Sequence, residues 1–338
     1  MKTTPNRVAA LVLVLVTPLV AELAFSTPLR MAWLVLLWLP IYGAGILLVR
    51  ELVRRAGRGW PSILLLGFAY ELVEDGIGLQ ALSSPHLYHA ADWGARVFGL
   101  NLPYWELNAI YHVVFSAAIP ILLTDLMFPS HRDVPYLKTF GLVVTAIVAL
   151  LGLGLLRISV PPSQDPGYVA PLWVLVGTVV AVVVVGVIAL KVLPRKVANV
   201  DRTSVKVPPL PVLWIVGGVA AILALGLLFP FGGATQPSFT RGWWVLAPMV
   251  ATAAVCVGAY VPIRRWSAAA GWTDRHALAL AGGALVGHSL VGSAAAHTTF
   301  DQVGLLVVTV VTAALVLLLD SRIRRRATTA EPAENLST

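Results

Sequence analysis

Along the chain, apolar residues gather in runs of about twenty, separated by short clusters of Arg, Lys, Pro and Gly, and the alternation repeats as far as residue 319. A helix rises 1.5 Å per residue, so each run is long enough to cross a hydrocarbon core roughly 30 Å thick. The pattern predicts an all-α integral membrane protein, a polytopic bundle of about ten transmembrane helices. Their expected places are 8–26, 30–49, 60–80, 105–127, 138–157, 171–193, 210–229, 243–263, 276–297 and 302–319. The segments between them are too short to form a soluble domain.

Punctuation divides the bundle further. The stretch 194–209, with its "VPPLP", reads as a linker between a first membrane half, 1–193 with six spans, and a second, 210–320 with four. Residues 321–338 read as a basic and then disordered tail. Grouped instead as five plus five, the spans would form inverted repeats, an arrangement common among secondary transporters. Pro18, Pro40, Pro120 and Pro248 fall within spans, where the missing amide hydrogen bends or interrupts a helix. Lys2 and Arg7, followed by "VAALVLVLVTPLVAELAFS", also fit a signal peptide cut after Ser26. That run is long for a signal peptide and carries Glu22 near its end; cutting it would leave nine spans in the same orientation.

Charge then sets the orientation. Only 12% of the 338 residues are charged against 58% apolar, yet the formal net charge is +8. The basic residues sit in clusters between spans, as in "RELVRR", "KVLPRK" and "RIRRR", rather than on one soluble surface, so the excess encodes topology and not nucleic-acid binding. With both termini cytoplasmic, 20 of the 24 Lys and Arg fall inside, leaving Arg30, Arg96, Arg157 and Arg241 outside. The expected location is the plasma membrane and the expected partners are the bilayer and a small solute or ion; the oligomeric state is not readable. Cys256, the only cysteine, lies in an apolar run and rules out an intrachain disulfide or a cysteine metal cage.

The candidate chemistry begins at "YELVEDGIGLQ", residues 70–80, which places Glu71, Glu74 and Asp75 within the third span. Its nine Leu, Ile, Val and Phe residues contribute roughly −3 to −5 kcal/mol to insertion, whereas three acids cost roughly +7 to +10. The span must therefore lie against other helices or water. At 100° per residue Glu74 lies about 60° to one side of Glu71 and Asp75 about 40° to the other, so the acids share a face with Gly67 and Gly78. The fourth span offers partners at the same depth, Asn108, His112 and Ser116 at every fourth residue, with Tyr104 and Tyr111 beside them. In the ninth span His288 lies on a face of Ala and Gly, where it should enter a tight interhelical contact. Glu22 of the first span is a further buried-acid candidate.

Three functions suit these residues. In the first, Glu71, Glu74, Asp75, Asn108, His112, His288 and Glu22 serve a proton- or cation-coupled permease that needs no cofactor, since closely spaced carboxylates share protons. In the second, Glu74, Asp75 and His112 hold a divalent metal ion in an intramembrane hydrolase. The ingredients are loosely similar to those of the CAAX-processing and bacteriocin-immunity membrane proteases, which carry a double acid followed by Arg, an F-x-x-x-H and an H-x-x-x-N/D. Here Leu79 stands at the Arg place, Asn108 or Ala284 at the Phe place, and only His297 with Asp301 fits the third motif. In the third, the polar residues form a hydrogen-bonded network that fixes helix register in a membrane scaffold, although each interhelical bond is worth only about 0.6 kcal/mol. No Walker A, Rossmann, nucleophile-elbow or H-E-x-x-H pattern occurs.

Overall fold

The apolar runs fold as helices at the places where the pattern puts them. A computed structural model describes residues 6–27, 29–88, 94–196, 202–229 and 242–330. Ten helices follow one another among these residues. They are α1 (Arg7–Pro18, continued by a π-helical turn Leu19–Leu23), α2 (Leu29–Arg55), α3 (Trp60–Glu71, continued by a π-helical segment Leu72–Gly78), α4 (Leu102–Met127), α5 (Thr139–Gln164), α6 (Leu172–Val192), α7 (Leu210–Gly226), α8 (Gly242–Ser267), α9 (Asp274–Ala295) and α10 (Thr299–Ala330). Seven are long and apolar enough to cross a membrane on their own. The other three fall short for visible reasons: α1 and α7 are near the lower length limit, and α3 carries the three acids. The last helix continues through the basic run 322–326, past the expected end near 319, as far as Ala330. Arg326 there donates to the terminal carbonyls of Leu126 and Met127 on α4.

Local signals start several of these helices. Asn6 accepts from the Ala9 amide and Asn101 from the Tyr104 amide, each satisfying a free N–H of the first turn. Pro61, Pro103 and Pro211 occupy first-turn positions, where a missing donor costs nothing. Inside the bundle the backbone widens repeatedly into π-helix, at 19–23, 39–43, 72–78, 112–118 and 188–192. Pro18 precedes such a segment, Pro40 lies within one and Pro120 follows one, whereas Pro248 and Pro262 of α8 adjoin none. At Pro120 the carbonyl four residues back is that of Ser116, inside the widened segment, where the wider turn relieves the clash with the proline ring.

Packing sorts the helices into centre and rim. The rims of α5, α6 and α8 expose Val, Ile and Leu, for example Val144, Ile147 and Leu151, the surface that a hydrocarbon solvent requires. Among the seven membrane-length helices, α4 and α9 are the most buried. α9 packs on α7 at backbone contact: a Cβ added to Gly283 would lie 2.0 Å from the Trp214 carbonyl oxygen, and one added to Gly217 would lie 2.1 Å from that of Leu280. The small-residue face of α9 is therefore a packing seam.

The two ends of the bundle differ. At the basic end, Arg50 of α2 is fully buried, bonds Asp125 Oδ1 through Nε (3.0 Å) and Nη2 (2.9 Å), and reaches the carbonyls of His131, Arg132 and Val134. Arg54 holds the other oxygen of Asp125 at 2.8 Å, and the Arg50 guanidinium lies 3.3 Å from the centroid of the Tyr136 ring. Burial and the neighbouring Asp125 carboxylate push the Tyr136 phenol well above its ordinary pKa, so it stays a neutral donor to Asp125. Glu51 accepts from the Tyr136 and Leu137 amides, which pins the 128–138 loop to α2. At the opposite end, the segment after α3 folds back over the bundle. It forms a short antiparallel hairpin, β1 (Arg96–Val97) with β2 (Leu100–Asn101), and is tied down by Ser84 to Asp165 (2.5 Å), the Tyr88 amide to Gln164 and the Ala170 amide to Gln80. Among the described residues, all four non-glycine residues with left-handed backbone lie in this cap: Gln80, Tyr88, Ala95 and Phe98.

Candidate functional site

The acids of α3 and the histidine of α4 stand on two facing π-helical segments. Glu74 and Asp75 lie in 72–78, His112 and Ser116 in 112–118, and α3 packs directly on the α4 segment, where Gly67 admits Ala117 and Val113. A π-helical turn rotates each residue by less than 100°, so both faces differ from those of a regular wheel. His112 stands between the two acids.

The geometry is that of an imidazole held between carboxylates. His112 Nδ1 lies 3.6 Å from Glu74 Oε2, and Nε2 lies 3.6 Å from Asp75 Oδ2. These separations suit ion pairing and are too long for hydrogen bonds. Ser116 Oγ lies 3.0 Å from Nδ1. Tyr104 donates to Asp75 Oδ1 at 3.0 Å, and the Trp105 indole donates to Glu71 Oε2 at 3.3 Å. Glu71, Glu74, Asp75 and His112 are all 3% exposed or less. Around them Tyr42, Tyr70 and Tyr111 enclose the imidazole at ring distances of 5.9, 5.8 and 5.0 Å. Tyr42 stands on the π-helical segment of α2, so three helices widen at the same place. One oxygen each of Glu71, Glu74 and Asp75, and the Tyr70 hydroxyl, are buried without a hydrogen-bond partner.

Glu22 joins this set at its edge. It lies on the π-helical turn of α1, where Ser26 donates to its Oε2 (2.7 Å); the Tyr111 hydroxyl lies 3.4 Å from its Oε1 and donates its proton to the Ala21 carbonyl. Ser26 is exposed, so Glu22 links the surface to the tyrosine shell. His288 enters the predicted tight contact but stays apart from the acids. Its ring is stacked between Phe115 (4.1 Å) and Phe25 (4.6 Å), with Tyr111 between it and His112, and neither ring nitrogen has a partner. Asn108 turns back on its own helix to the Tyr104 carbonyl and does not reach the acids.

Residues 11–331 match a family described as an uncharacterized membrane protein family. The chain belongs to that family. No curated protein and no solved structure matches it.

In this family member the two acids and the histidine are arranged in line. Glu74 and Asp75 face opposite nitrogens of one ring, so an ion bound at either nitrogen would meet one carboxylate, short of the three protein ligands of a catalytic zinc site. Among the described residues no group of three or more His, Cys, Asp and Glu side chains is placed to hold a metal ion. The residues that sequence reasoning passed over are Tyr42, Tyr70 and Trp105. Tyr70 carries the clearest signal, since it stands one helical turn before Glu74.

The clamp makes a testable demand. His112→Ala and Glu74→Gln should be non-additive in thermal stability, with a coupling of about 0.5–3 kcal/mol, because each variant removes the partner of the other. Additive shifts in the purified protein would separate the two residues.

Proposed function

We propose that this protein is a proton-coupled secondary transporter of the plasma membrane, with Glu71, Glu74, Asp75 and His112 as its proton-binding site and its basic end in the cytoplasm. The observation that carries this reading is the set of buried carboxylate oxygens left without hydrogen bonds around a buried imidazole. A network that served only helix register would complete its bonds. Here the oxygens without hydrogen bonds, two of them facing His112, are places for protons. Fully ionised, three carboxylates and one imidazolium would leave a net charge of −2 in a medium that penalises each buried ion by several kcal/mol, so the set is balanced only when protons or another cation are bound. Glu22, through Ser26 and Tyr111, supplies a polar route between the surface and this set. The transported solute is a small molecule or ion that exchanges with, or accompanies, the proton.

Infrared difference titration of the detergent-purified protein tests the proton site directly. A carboxylic C=O band that appears and disappears with pH should weaken in Glu74→Gln and move in His112→Ala. The absence of any titrating carboxyl band would overturn the assignment. Glu71→Gln should leave folding intact, or stabilise it by removing a buried charge, while it lowers proton flux into liposomes.

A further inference from the structure

At the basic end of the bundle the segment 202–207 runs against the last turns of α8 and leaves a groove beside them. Tyr260, Val261, Arg264 and Arg265 of α8 form one wall, Thr203 and Val205 the other, and the volume is about 370 Å³. The segment is fixed there through its backbone, since the Thr203 amide donates to the Ala268 carbonyl (3.1 Å) and the Ala270 amide to the Thr203 carbonyl (3.0 Å). Arg264 and Arg265 are both exposed, and among the described residues neither side chain has a hydrogen bond or an ion pair. Their neighbours at the same end differ: Arg132 meets Asp274, and Arg275 meets Asp320. The groove itself is lined by two cations and by no carboxylate.

Depth and direction decide what meets these cations. At the far end of α8, Trp243 and Trp244 stand exposed, as tryptophans do at a membrane interface. Arg264 follows Trp244 by a helical rise of roughly 30 Å, the thickness of a hydrocarbon core, so both guanidinium groups stand at the level of lipid phosphates. Val250, Val257, Val261 and Arg264 fall within about 60° of one another around α8. The three valines are 69%, 62% and 41% exposed. A lipid-facing apolar stripe therefore leads directly to the groove.

We infer that this groove binds an anionic phospholipid, with its phosphodiester headgroup between the two arginines and the 202–207 segment, and an acyl chain lying along Val261, Val257 and Val250. Only the headgroup enters the groove, which has space for about twelve water molecules and so for a phosphate carrying a small alcohol. Charge complementarity selects the anion, because guanidinium groups take phosphate oxygens through paired N–H donors and no carboxylate competes for them here. A zwitterionic lipid would bring an ammonium group against two cations. The valine stripe selects a lipid over a free phosphate. Basic pockets at the membrane face are known to recognise headgroups in this way. Since Thr203 and Val205 form the second wall, the bound lipid also braces the segment that enters α7.

The test is native mass spectrometry of the full chain, delipidated in detergent and titrated with phosphatidylglycerol, with phosphatidylcholine of the same acyl chains, and with glycerol 3-phosphate. Wild type should bind phosphatidylglycerol about tenfold more tightly than phosphatidylcholine, and glycerol 3-phosphate should not displace it. Arg264→Gln combined with Arg265→Gln should lose about tenfold in phosphatidylglycerol affinity and with it the preference. Val261→Trp, which fills the groove and keeps both charges, should lose the same lipid. Arg322→Gln combined with Arg324→Gln removes equal charge from α10, outside the groove, and should bind as wild type does. Equal affinity for the two lipids, unchanged affinity in the Arg264 and Arg265 variant, an equal loss in the α10 variant, or displacement by glycerol 3-phosphate would overturn the inference.

Discussion

Replacing Asp125 with Asn should cost the folded state about 3–5 kcal/mol, the usual loss when one partner of a buried ion pair is removed. Two guanidinium groups converge on this carboxylate, Arg50 on one oxygen and Arg54 on the other, and both Arg side chains are buried. Asparagine keeps the shape and removes the charge, so two cations remain in the bundle with Glu51 alone close by. Arg50 also holds three carbonyls of the 128–138 loop, and that loop should loosen with it. Asp125→Asn combined with Arg50→Met should lose less than Asp125→Asn alone, because the double variant buries one cation fewer. The pair Arg132–Asp274 is the contrasting case. Its side chains are 34% and 38% exposed, so Asp274→Asn should shift stability by about 1 kcal/mol at most. Thermal midpoints of the four proteins in one detergent would decide the matter. Equal losses from Asp125→Asn and Asp274→Asn would refute the account of a buried network.

Gly283→Ala should be the most damaging single methyl group in the protein. The added carbon would stand 2.0 Å from the Trp214 carbonyl oxygen, inside any van der Waals contact, and the obstacle is backbone on a helix packed along its length. Relief requires α7 and α9 to part, a cost of about 1–3 kcal/mol or more from overpacking. Gly186→Ala on α6 has nothing within 4 Å of its new Cβ and should be neutral or gain ~0.5–1 kcal/mol from helix propensity. Purified yield and unfolding temperature of the two variants give the comparison. A Gly283→Ala protein as stable as wild type would mean that the seam is looser than these contacts require.

Much of this architecture is legible from residue order. Apolar runs and their Pro, Gly and Arg punctuation place the helices, seven of them long and apolar enough to cross a membrane, and the insertion cost of three acids in one span is by itself enough to require burial of Glu71, Glu74 and Asp75. A wheel of 3.6 residues per turn shows correctly that the acids turn toward α4. It does not show that Asn108 turns back along its own helix to the Tyr104 carbonyl, a side-chain choice that the wheel cannot express. Nothing in composition announces a π-helical segment, although a proline two residues after one, as at Pro120, is a usable hint. The Arg50 network escapes notice for another reason. Arg50 and Arg54 lie in "RELVRR", where basic residues at a span end are expected as topology signals, and Asp125 lies seventy positions away. Only the pairing of α2 with α4 turns orientation charges into an internal lattice.

The acid-bearing helix has a consequence for how the chain is made. α3 does not partition into lipid by itself, since three carboxylates outweigh its nine large apolar residues. The groups that answer those carboxylates, Tyr104, Trp105 and His112, are carried by α4 and leave the ribosome some thirty to forty residues later. During synthesis, α3 must therefore wait at the translocon until α4 emerges, and the two enter the bilayer together as a hairpin. The residues that form the buried acid and histidine cluster thereby also set the order in which this membrane protein is assembled.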